Sequence, residues 1–182
     1  EFDFTNARKD IEKALEMQPG NRIALINLFH IDKCSPQSDL FHQTANTLLR
    51  DLGKEKSSGH DLLTFFEEYR KVSGSPRLSV DMYATIVHAY LEEKRTTESE
   101  QILSMLIKQA PDHDKIPGCL FRLAKTYHAR KDPRNCKKCV AILTQKYSDS
   151  FEAKNAREML AGPTPSWSDT ILSQESVHDQ DM

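Results

Sequence analysis

The sequence predicts an all-α fold, and three observations carry that reading. Apolar residues recur at three- and four-residue steps along most of the chain, the spacing of one face of an α-helix. The six Gly and eight Pro are few for a sandwich or barrel, and they mostly punctuate the periodic stretches. Those stretches are rich in Ala, Leu, Glu and Lys, residues that lose little side-chain freedom in a helix.

Taken in order, Phe4, Ala7, Ile11, Ala14, Leu15 and Met17 form the first stripe, which stops at Pro19-Gly20. A second stretch runs from Arg22 to Cys34 through Leu25, Leu28, Phe29 and Ile31, and a third follows Pro36 through Leu40, Phe41, Ala45, Leu48, Leu49 and Leu52. Lys54 to Gly59 is a polar break. Leu62, Leu63, Phe65, Phe66, Tyr69 and Val72 then mark a helix closed by Ser73-Gly74-Ser75-Pro76. Further helices are expected over 78–93, 97–110, 116–130, 134–147 and 150–160. Nine helices joined by connections of roughly 3–8 residues fit antiparallel hairpins stacked on one another. After Gly162 the composition shifts to Pro, Ser, Thr, Asp and Gln. The reading therefore places a helical-repeat domain over 1–161 and an acidic, mostly disordered tail over 162–182.

The chain also matches itself at an offset of 37 residues: Ile86, Val87 and Tyr90 correspond to Leu123, Ala124 and Tyr127, and Ser99, Leu103 and Leu106 to Cys136, Val140 and Leu143. Helix pairs repeating at such a period cannot each bury an apolar face alone, so they pack on their neighbours. On these residues the chain resembles the tetratricopeptide-repeat family. Leu120, Leu123, Ala124 and Tyr127 match the first helix of its unit, and Cys136 and Val140 match small and bulky positions of the second, although Leu143 is larger than usual. Gln145-Lys146-Tyr147-Ser148-Asp149-Ser150 is similar to the Tyr-Pro-Asp-Ser ending of some members, with Ser148 replacing Pro.

Phe4 to Pro19 reads like a second helix whose first helix would precede residue 1, which suggests a fragment of a longer protein. The next unit departs from the pattern, with Phe29 at a normally small position and Asp32 at the aromatic one, and the helix of 59–74 breaks strict pairing. Two good units, one degenerate unit and one half unit cover most of residues 3–160. The resemblance implies a short right-handed solenoid. A fainter resemblance, over 3–33, is to the helical regions that follow the membrane portion of bacterial rhomboid-like proteins. No catalytic residue carries over from it, because the serine and histidine machinery of a rhomboid protease lies in membrane helices.

Charge and chemistry narrow the function classes. With 25 basic against 27 acidic side chains, the net charge of −2 offers no field to draw in nucleic acid or anionic lipid. No apolar run approaches the ~20 residues of a membrane span, so direct insertion of this stretch is not expected. Four Cys without a signal-peptide pattern read as reduced thiols, and a cytoplasmic setting is expected, with tethering to a membrane through an upstream segment as a variant. Cys136-Lys-Lys-Cys139 lacks a second ligand pair and a preceding strand; packed core cysteines fit better than a metal or redox site. The seven His show no metal-ligand spacing, and no phosphate loop or nucleophile elbow is present. No enzyme activity, cofactor or metal is expected.

Carried over from the family, the lining of a concave groove is Ile26, His30 and Lys33, then Ala84, His88 and Leu91, then Phe121, Arg122, Lys125 and His128. Its basic groups suit a carboxylate or acidic side chains, and its apolar islands suit an anchor residue. The expected function is a non-catalytic protein-protein interaction scaffold that binds a peptide or protein in this groove. The competing reading is a soluble accessory or regulatory domain of a larger membrane-associated, rhomboid-like protein. In the tail, Trp167, Ile171 and Leu172 stand at helical spacing beside Asp169, Glu175, Asp179 and Asp181 with no Lys or Arg, a pattern suited to docking in a basic groove and so to self-association through 163–182.

Overall fold

The computed structural model describes residues 4–55 and 58–161. Among the described residues the chain forms nine α-helices and no strand: α1 Thr5–Met17, α2 Arg22–Asp32, α3 Asp39–Leu52, α4 Gly59–Ser73, α5 Val80–Glu92, α6 Thr96–Gln109, α7 Lys115–Ala129, α8 Pro133–Lys146 and α9 Phe151–Ala161. None of them is long and apolar enough to cross a membrane. The acidic tail, with Trp167, Ile171 and Leu172, lies outside the described residues.

Side-chain caps decide where several helices begin. Asn21, Ser38, Ser79, Asp132 and Ser150 each accept a hydrogen bond from the backbone N–H three residues on, at 3.1–3.2 Å. Each satisfies one of the amides that a helix start leaves without an internal partner. Pro133 occupies the first turn of α8, where its missing N–H costs nothing.

The helix ends carry the 37-residue repeat into the backbone. After α5, Lys94 takes a left-handed conformation (φ 61°) and the Arg95 N–H donates to the Tyr90 carbonyl at 2.8 Å. After α7, Lys131 does the same (φ 56°) and the Asp132 N–H donates to the Tyr127 carbonyl at 2.9 Å. This six-to-one closure satisfies an otherwise orphaned carbonyl, offsetting the roughly 1–2 kcal/mol that a side chain costs at positive φ. The next turns match as well. Ala110 N–H donates to Leu106 and His113 to Ala110; 37 residues on, Tyr147 donates to Leu143 and Ser150 to Tyr147. The end of α1 shares this second pattern, Gln18 donating to Ala14 and Asn21 to Gln18.

Contacts divide the chain into two compact units, Glu1–Cys119 and Leu120–Met182. In the first, each helix from α1 to α6 packs on the next in sequence. Side chains also reach helices two places away: Phe29 of α2 meets Phe65 of α4 with ring centroids 5.5 Å apart, and Lys33 pairs with Glu68. Glu67 of α4 pairs with Arg95, at the start of α6, at 2.6 Å and accepts a hydrogen bond from Tyr90 of α5 at 3.0 Å. At the end of α3, a Cβ on Gly53 would stand 3.2 Å from the Thr85 side chain of α5, so this close approach favours the smallest residue.

The core of the first unit centres on an aromatic seam. Phe29 and Phe41 are fully buried with centroids 5.3 Å apart, and Phe41 meets Tyr69 edge-on at 5.4 Å. Asp32, the carboxylate standing where the resemblance calls for an aromatic ring, is also buried. Arg8 of α1 pairs with it and Thr44 of α3 donates to it at 2.6 Å, so three helices satisfy one buried charge. In the second unit α8 packs on α9. Leu123, Tyr127, Val140, Leu143, Ala153 and Ala156 are buried there together with Cys136 and Cys139.

Truncation of the seam is expected to be severe. Phe41→Ala should cost about 3–5 kcal/mol in urea unfolding of the first unit, whereas Phe151→Ala, at a ring 72% exposed, should change stability by about 0.5 kcal/mol or less. Equal costs at the two positions would contradict the placement of the core.

Candidate functional site

A polar trough runs between α3 and α5. One hollow of about 560 Å³ is lined by Asp39, His42, Gln43, Asn46, Thr47, Arg50 and Arg77. A second, of about 300 Å³, is lined by Ser79, Asp81, Met82 and Thr85 and shares Asn46 and Arg50 with the first. The 3.6-residue period places Asn46 and Arg50 one turn apart on one face of α3, and Ser79, the cap of α5, brings that helix start to the trough.

One end of the trough is braced from beneath. The Tyr69 hydroxyl accepts a hydrogen bond from the Arg77 backbone N–H at 3.0 Å and shares a second hydrogen bond with His42 Nδ1, 2.5 Å away. Asn46 adds two bonds from its amide, to the His42 and Arg77 carbonyls, both at 2.8 Å. The Arg77 guanidinium is tied to Asp39 at 2.7 Å. Burial, then the Arg77 charge, hold His42 below its ordinary pKa against a smaller upward pull from Asp39. Burial likewise pushes Tyr69 up.

Arginine pairing separates structural from available cations. The first unit contains six Arg. Arg8 pairs with Glu12 and Asp32, Arg22 with Asp51 and Glu55, Arg77 with Asp39, and Arg95 with Glu67 and Glu98. Arg50 and Arg70 make no side-chain hydrogen bond or ion pair among the described residues, and each lines a cavity.

The residues expected to line one groove have these surroundings. His30 lies against Phe65 of α4 at 6.2 Å between centroids, and Lys33 pairs with Glu68, also of α4. His88 stands 3.5 Å from Cys119 on α7. Leu91 and Ala84 are buried core residues, and Ile26 is half-buried. In the second unit Phe121 is half-buried with the Lys125 ammonium 5.7 Å from its ring centroid, while Arg122, Lys125 and His128 are exposed on α7. In the first unit α2 contacts α4, and α3 approaches α5 where Gly53 meets Thr85.

None of the four Cys is in a disulfide; Cys34 is exposed, and Cys119, Cys136 and Cys139 are buried. Burial, aided by Asp132, pushes the Cys136 thiol up, the reverse of what a reactive thiolate needs. Asp81, His113 and Asp114 bring one ligand-type atom each within 4.8 Å of one another. Asp81 stands in the first turn of α5 and Asp114 immediately before α7, where helix amides already favour a carboxylate. Comparison with family models, with curated proteins and with solved structures finds no match for the chain.

His42 gives the brace a pH dependence whose sign is fixed. Because its pKa is depressed in the folded state, the unfolded chain takes up the proton first as pH falls. The stabilising contribution is complete above the ordinary His value of about 6.5 and is lost below it. The urea midpoint is expected to fall from about pH 6.5 to pH 5, and His42→Gln to flatten that slope. A slope unchanged in H42Q would assign the effect to other groups.

Proposed function

We propose that this protein is a non-catalytic interaction module that binds an acidic peptide segment of another protein along the α3–α5 trough. The observation that carries this reading is Arg50. A guanidinium costs little to leave solvated, but here it lines both hollows without a carboxylate while four other Arg of the same unit are paired. A carboxylate on the partner would gain a charge-assisted, bidentate pair with it. Ser79, Thr47 and Thr85 offer hydroxyls along the same path, and the mixed charge of Asp39, Arg77 and Asp81 suits an extended peptide better than a uniform polyanion.

We further infer that the helices form stacked antiparallel hairpins of tetratricopeptide type, arranged as a short right-handed solenoid. Support comes from the matched turns 37 residues apart and from the packing of each helix of the first unit on its chain neighbours.

Display selection of random peptides on the full chain is expected to return Asp- or Glu-containing sequences. Arg50→Glu should weaken them by about tenfold or more, equivalent to about 1.4 kcal/mol. Peptides whose affinity ignores this change would remove the groove reading.

A further inference from the structure

The second unpaired arginine marks a different kind of cavity. A pocket of about 390 Å³ lies between α4, α6 and the turn Gly74–Leu78. That size is within the roughly 300–1,000 Å³ of small-molecule sites. Its floor is apolar: Phe66, Tyr83 and Ile102 line it and are 1%, 9% and 5% exposed. Leu78 and Met105 extend the apolar wall. The turn is shaped by Gly74 at φ 69°, a conformation that suits glycine, and is pinned where the Tyr83 hydroxyl donates to the Pro76 carbonyl at 3.1 Å.

The rim has a different chemistry. Arg70, Gln101 and Gln109 line it, and none of the three side chains makes a hydrogen bond or ion pair among the described residues. The Arg70 guanidinium stands 5.8 Å from the centre of the Phe66 ring, at the edge of the apolar floor. Glu98, close enough to feel the Arg70 charge, is committed to Arg95 at 2.7 Å. Arg77 also lines the pocket, but its guanidinium is tied to Asp39. No carboxylate lines this cavity. The result is a greasy floor, one uncompensated positive charge and two unused amides.

That combination selects a ligand class by elimination. A neutral hydrocarbon would cover the floor but gain nothing from Arg70 and the two amides, which stand exposed at the rim. A cation would be repelled, and a dianion would find one available guanidinium where it calls for two. We propose that this pocket is a second, independent binding site, for a small monocarboxylate with an aromatic or aliphatic body of about a dozen heavy atoms. The body rests on Phe66, Tyr83 and Ile102. The carboxylate takes Arg70, and Gln101 and Gln109 donate to its remaining lone pairs. Cation and ring edge together then hold the ligand at the mouth, the arrangement usual for a pocket that orients its ligand through a few polar groups.

The test uses the ¹⁵N-labelled full chain titrated with 4-phenylbutyrate and, in parallel, with the neutral 4-phenylbutan-1-ol. Saturable shifts are expected at the residues of the α4–α6 pocket for the acid, with a Kd on the order of 0.1–1 mM. The alcohol should bind about tenfold more weakly, and Arg70→Gln should bring the acid down to the alcohol's level. Arg70 is exposed, so R70Q is expected to keep the wild-type spectrum elsewhere; Met105→Trp, which fills the cavity, should abolish binding of both compounds. Absence of saturable shifts up to about 10 mM would overturn the proposal, as would equal affinity for acid and alcohol. So would an R70Q protein that binds 4-phenylbutyrate as the wild type does. Shifts at these residues produced by an acidic peptide but not by the acid would assign the pocket to a protein partner instead.

Discussion

No helix of this chain can hide its apolar stripe by itself, and that constraint shapes everything else. From α2 to α6 each helix of the first unit buries apolar residues and packs on its chain neighbours. Three of them meet at the seam of Phe29, Phe41 and Tyr69, at ring distances of 5.3–5.4 Å. The same residues serve both packing and polar organisation: the Tyr69 ring fills the core while its hydroxyl joins His42 to the Arg77 backbone. The floor of the trough is therefore rigid for the same reason that the core is. Removing the seam would loosen the trough even though no ring of it touches the open surface.

The sequence already showed much of this, and the reason is physical. Helix limits were readable because Pro19-Gly20, Pro36 and Ser73-Gly74-Ser75-Pro76 interrupt the apolar stripes, whereas the caps Asn21, Ser38, Ser79, Asp132 and Ser150 came with the fold. The 37-residue period was readable because it is written in the buried side chains, and it returns in the turns after α5 and α7 at Lys94 and Lys131. Nothing in the composition announced a left-handed Lys; glycine would have been the usual signal.

The site was less legible. A lining inferred by matching first helices rests on a regular succession of helix pairs, and the sequence itself interrupts that succession at residues 59–74. Arg50 and Arg70 had no motif to mark them. Their distinction lies in what they lack, an ion-paired carboxylate, and only the fold shows which charges are near which. Asp32 illustrates the converse case. As a sequence position it is an oddity, a carboxylate where a ring is expected, yet in the fold it is satisfied by Arg8 and Thr44.

The lone helix α4 has a wider consequence. In the first unit α4 meets α2 through Phe65 and Glu68 and meets the start of α6 through Glu67, while α3 approaches α5 at Gly53 and Thr85. The polar trough therefore lies along α3 and α5, and the pocket floored by Phe66 lies along α4 and α6. Two surfaces of unlike character, one polar and one greasy, can thus arise from a single repeated pattern, without either having to evolve on a separate scaffold.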